Sequence, residues 1–218
     1  MRRFLALAAF ALFPSIAAAA PVEVEGRTFE FPGGLGYCDL DASQPGEKFL
    51  IDQQMQIQAG QNIIIAYQGA CNELIALRVG ANEYLQEYMI AMVPMQNGAF
   101  TPIAGDRAGF LQQMAASLPA VDPALVQQLE AQGAGVKVSG AQLIGVLGQD
   151  ANAIYYGLLL EVSDGTTSIT AAAVVAITLV GDVPISLNFY RPYKGLADVD
   201  ALWTEASIAA ANLVAANP

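Results

Sequence analysis

Histidine is absent from the 218-residue chain. Without an imidazole there is no Ser-His-Asp or Cys-His relay and no H-E-x-x-H zinc site. Positive charge is scarce as well, nine Lys and Arg standing against twenty Asp and Glu. A surface of that sign repels nucleic acid and anionic lipid headgroups. No G-x-x-x-x-G-K-[ST] phosphate loop occurs. GAGVKVSG at 133–140 begins like a dinucleotide fingerprint, but its third glycine is displaced. Within it, Lys137 and Ser139 alternate with two valines, which suits a solvated strand face better than a Ser–Lys dyad. Long apolar runs are missing too. The longest after the N-terminus, AAAVVAITLV at 171–180, has ten residues, and a membrane-spanning helix needs about 20.

What is present starts with the N-terminus. Arg2 and Arg3 precede an unbroken apolar run from Phe4 to Phe13, and Ala17 to Ala20 supply small residues. These three parts make residues 1–20 a secretory signal peptide, cleaved after Ala19 or Ala20. No cysteine follows the small residues, so no lipid is expected there. The expected location is the bacterial periplasm or the exterior, and residues 21–218 are expected to form one domain. Loss of Arg2 and Arg3 leaves seven cations against twenty acids, a formal charge of −13.

The stretch GYCDLDAS, 36–43, holds one of only two cysteines, Cys38; the other is Cys71. An even pair in an oxidising compartment reads as a disulfide. A zinc site would want four Cys, His or carboxylate ligands. Asp39 and Asp41 resemble the start of a calcium loop, but Gln44 and Leu50 stand where it needs Gly and Glu. The two aspartates would also raise, not lower, a thiol pKa. Asp41 or Ser43 therefore serves in a turn or helix cap before Pro45.

Along the chain, VEVEGRTFEF (22–31) alternates as a strand pair or one bent strand. A helix is predicted from Glu47 to Ala59, a buried strand over 62–68, and a strand or short helix over 73–79. Residues 83–93 read as a strand. Asp106 can cap a helix, and Asp122-Pro123 starts another that Gly133 ends. Three strand-like runs follow, 153–162, 168–180 and 183–190, joined by SDGTT and by Gly181-Asp182 as an antiparallel meander. Val199, Leu202, Trp203, Ala206, Ala210 and Leu213 then fall on one face of a final helix that Asp198 or Asp200 can cap. The fold class is α+β, an antiparallel β-sheet covered by helices.

FEFPGGLGYCDL near the start and VPISLNFYRPYKGLADVDALWTEASIAAANLVAAN at the end resemble the opening and closing segments of PsbP-like and DcrB-like αβα-sandwich proteins. The resemblance implies a helix-covered antiparallel sheet and mostly non-enzymatic accessory roles. It includes no catalytic motif and carries over no functional residue.

The carboxylate pairs Glu23/Glu25, Asp39/Asp41 and Asp198/Asp200 could in principle serve glycoside hydrolysis, but turns and caps account for them. No catalytic residue, metal site or cofactor is assigned. One cluster stands out: Asn188, Tyr190, Arg191, Tyr193 and Lys194 bring aromatics and two of seven mature cations together, suited to an anionic or aromatic ligand. The expected function is a non-enzymatic periplasmic module for a protein or envelope component. The alternatives are a small-ligand carrier using that cluster and a carboxylate-dependent hydrolase. No nucleic-acid partner and no membrane span after signal removal are expected.

Overall fold

A computed structural model describes residues 21–32, 35–132, 140–163 and 168–218. The predicted signal segment, the 133–139 stretch with Lys137 and Ser139, the Gly133 helix stop and residues 164–167 of the SDGTT turn lie outside the described residues. A hairpin, β1 (Pro21–Val24) and β2 (Arg27–Glu30), stands apart as a two-stranded sheet. The main sheet has eight strands. They are β3 (Tyr37–Asp39), β4 (Asn62–Ala70), β5 (Tyr88–Gln96), β6 (Ala99–Phe100), β7 (Ala141–Gln149), β8 (Ile154–Ser163), β9 (Ser168–Val180) and β10 (Val183–Pro192). Their order is β3-β4-β5-β10-β9-β8-β7, with β6 beside β5, and every pairing is antiparallel. The predicted meander is present. Its last strand, β10, turns back to pair with β5 at the sheet centre.

Strand alternation assigns the two faces. Ala172, Val174 and Ala176 of β9 and Leu187 and Phe189 of β10 point to the face that α5 (Leu196–Ala216) covers. Val199, Leu202, Ala206, Ala210 and Leu213 form the buried stripe of α5, as its spacing predicts. Trp203 is only partly buried and rests on Tyr155 instead. Asp198 caps the helix start from inside its first turn, its Oδ2 accepting the Gly195 and Lys194 amides at 3.1 and 2.7 Å. Leu129 of α4 (Pro123–Gln132) joins the same core cluster. On the opposite face α3 (Arg107–Ser117) lays Phe110 and Leu111 on Ile154 and Leu179. Asp106 caps α3 through Gly109 N–H at 2.7 Å, as expected. The architecture is therefore α+β, with helices on both faces of one antiparallel sheet.

The remaining helices sit at the β3–β4 edge. α1 (Pro45–Gln58) starts with Pro45, a residue preset for a first turn. Asp41 serves in a turn, its Oδ1 accepting Ser43 N–H at 2.8 Å. The segment at 73–79 is helical, not a strand: α2 is Cys71–Arg78. Glu47, 1% exposed, accepts the Asp41 amide at 2.8 Å and Arg78 Nε at 2.6 Å, tying α1 to α2. The Arg78 guanidinium holds the Glu47 carboxyl below its ordinary range.

Two further expectations are revised. The strand read over 83–93 begins only at Tyr88. β7 escapes sequence reading because its alternation is interrupted by Gly145 and Gly148. Both glycines answer tertiary demands. A Cβ on Gly145 would come within 2.6 Å of the Val121 backbone, and Gly145 has φ +127°; a Cβ on Gly148 would meet the Trp203 ring at 2.5 Å. Gly145→Ala is therefore expected to cost about 2 kcal/mol, since backbone cannot step aside as a side chain can. Chemical denaturation checks it; an unchanged midpoint would show that the chain around Val121 yields freely.

Candidate functional site

The alternation of β10 divides the cluster foreseen at its end. Asn188 and Tyr190 face away from α5, while Arg191 and Tyr193 face it. Asn188 is buried among backbone acceptors, its Nδ2 donating to Ile90 O at 3.0 Å and Ser186 O at 3.2 Å. Arg191 donates to Glu205 Oε1 of α5 at 2.7 Å and lies 3.7 Å from Glu87; Tyr37 OH donates to the other Glu205 oxygen at 2.9 Å. Its guanidinium thus joins β3, the start of β5 and α5, with carboxylates already facing it. Tyr193 is 4% exposed under α5. Lys194 is exposed. The five residues do not converge on one pocket, and Tyr190 is the one that opens on a ligand-sized space.

Tyr190 belongs to a row of rings drawn from three strands. Tyr88 stacks on it at 4.7 Å and 21°, and Tyr67 meets Tyr88 edge-on at 5.9 Å. Register builds the row, because Tyr88 is the direct partner of Tyr190. Burial pushes the Tyr88 phenol up to about 12. Burial also raises Tyr67 and Tyr190, with neighbouring phenols adding to the effect.

A second feature lies at the sheet edge. β3 pairs with only Gln68, Gly69 and Ala70 of the nine-residue β4. On that side Asn62 to Ala66 have no strand partner among the described residues. A bulge between Ile64 and Ala66 inserts Ile65 there, a device common beside binding sites. Along this edge runs a groove of about 580 Å³, walled by Ile51 and Met55 of α1, by β4 and by Val22 and Phe31 of the hairpin region. Asp39 stands in it, its Oδ1 accepting Gln68 Nε2 at 2.8 Å. Met55, which lines the groove, is 60% exposed, and α1 also exposes Phe49 and Ile57 away from the lining. Sequence reading missed this groove. The only signal was a helix whose apolar residues outnumber those it can bury.

Each carboxylate pair has at least one member in a structural post. Asp39 bonds Gln68, Asp41 forms a turn, Asp198 caps α5, and Glu25 sits in the β1–β2 turn at positive φ. Among the described residues no three His, Cys, Asp or Glu side chains gather to hold a metal ion, and no helix is long and apolar enough to cross a membrane. Cys38 and Cys71 are bonded to each other, with Cα atoms 5.0 Å apart. No protein-family model matches the chain, and no curated protein matches it.

Proposed function

We propose that this is an exported, non-enzymatic accessory module of the bacterial periplasm that holds an extended segment of a partner protein in the β4 groove. The observation that carries the reading is the coincidence of a largely apolar groove of about 580 Å³ with a stretch of strand edge that has no partner among the described residues. Free edges with adjoining apolar pockets accept added chain segments, the backbone supplying affinity and alternate side chains specificity. Native edges without such use are normally shortened or charged. Asp39 in the groove and the net acidity of the chain favour basic residues in that segment. The resemblance to PsbP-like and DcrB-like proteins supports an accessory role, and the disulfide supports an oxidising compartment.

Selection of displayed random peptides on the purified protein tests the reading. The expected winners alternate apolar and basic residues and shift the amide resonances of Ile63, Ile64 and Ile65. Met55→Glu should abolish their binding, and Asp39→Lys should weaken it about tenfold. Winners that shift resonances elsewhere, or no enrichment, would remove the groove from consideration.

A further inference from the structure

A separate cleft of about 310 Å³ opens on the sheet face opposite α5, where Tyr88 and Tyr190 emerge. Tyr84 and Gln86 of the segment before β5, Gln53 of α1 and Ala171 of β9 complete the walls that matter. The volume falls at the lower end of small-molecule sites. We propose that this cleft binds a neutral saccharide. The proposal rests on residues distinct from the β4 groove and stands or falls without it.

The lining chemistry selects the class. Among the described residues no charged side chain lines the cleft. An anion would find no cation there and would enter against the field of a chain with twenty acids and nine cations. A simple cation would find no carboxylate among the described lining residues. The polar groups are phenols and primary amides, each both donor and acceptor, which is the hydrogen-bonding character of a sugar hydroxyl. The side chains of Tyr84, Tyr88, Tyr190, Gln53 and Gln86 make no hydrogen bond to another described residue, and Tyr84, Gln53 and Gln86 are exposed at the cleft.

The second requirement is a flat apolar wall. Tyr88 on β5 covers one face of the Tyr190 ring. On the β9 side Ala171, the direct partner of Pro192, lines the cleft, while Ala173, the direct partner of Tyr190, is fully buried. The methyl of Ala171 leaves room in the cleft that a larger residue would fill. A pyranose presents C–H groups on one face and hydroxyls around its rim, and it fits an aromatic plane flanked by amides. A quaternary ammonium ion would use the rings but leave both glutamines unsatisfied.

Heteronuclear NMR titration of the purified protein decides the matter, with cellobiose and N,N′-diacetylchitobiose as probes and glucuronate and tetramethylammonium as comparators. The expected result is millimolar or tighter binding of a neutral disaccharide, with the Gln86 and Ala171 amides shifting most. Tyr190→Ala should weaken binding about tenfold and Tyr190→Phe less, because the ring plane is retained. Should Tyr190→Ala fail to fold, Tyr84→Ala and Gln86→Ala carry the test; Tyr84 is 54% exposed and safe to truncate. Absence of shifts with either disaccharide, shifts centred elsewhere, tighter binding of a comparator, or indifference to all these variants would each overturn the proposal.

Discussion

Above pH 10 the protein is expected to lose stability steeply, unfolding as its tyrosines ionise together. The phenols of Tyr37, Tyr67, Tyr155 and Tyr190 are all raised, with burial the largest cause in each, and Tyr88 is raised to about 12. An unfolded phenol ionises near pH 10. Between that value and the folded one, the folded state keeps protons that the unfolded state releases. Stability contributed by these groups is thus complete below about pH 10 and falls as pH rises through the folded values. Tyr88 alone, displaced by about two units, contributes roughly 2–3 kcal/mol to that loss. A domain's whole stability is typically about 5–15 kcal/mol, so a few such groups suffice to unfold it. Tyrosinate absorbance and far-ultraviolet circular dichroism, followed against pH, should change together and later than in free tyrosine. Gradual ionisation near pH 10 with an intact dichroism spectrum would contradict the burial of the row. Near neutrality the stability curve should be flat, because the chain has no histidine and both cysteines are bonded.

How much of this was legible in the sequence depended on whether the cause was local. The long runs of β8, β9 and β10 and the apolar stripe of α5 are periodic signals, and they give the sheet, the meander and one covering helix. Asp106 and Asp198 are local caps and were readable as such. β7 was not, because Gly145 and Gly148 are dictated by Val121 and Trp203, which approach from elsewhere in the fold. The ligand cluster on β10 failed as a unit for a related reason. Residues adjacent in a strand point to opposite faces, so closeness in sequence placed Tyr190 and Arg191 on opposite sides of the sheet. The tyrosine row and the β4 groove depend on register and on the shortness of β3, neither of which composition or periodicity reveals.

Replacing both Cys38 and Cys71 by serine is expected to lower stability by about 3–4 kcal/mol, the chain-entropy value for a loop closed across 33 residues. For a chain of this length that corresponds to a fall of roughly 10 °C in Tm. The loss should begin locally. β3 is three residues long and, among the described residues, pairs with β4 alone, too short to remain ordered by pairing alone. Cys38 anchors its middle, and Cys71 opens α2, where its amide donates to Gly36 O at 2.9 Å. Tyr37, beside Cys38, packs edge-on against Phe189 at 5.7 Å and bonds the Glu205 carboxylate that also receives Arg191. Freeing β3 therefore withdraws a ring from the core and a partner from an ion pair whose guanidinium is 14% exposed. Hydrogen exchange in the double serine variant should rise first at Tyr37–Asp39 and at the start of α2, before the β8–β10 meander responds. The intact protein should take up no thiol-blocking reagent until it is reduced. A double variant with an unchanged denaturation midpoint would mean that β3 is held by packing alone, and uptake of two equivalents beforehand would mean that the disulfide, and its support for an oxidising compartment, is absent in solution.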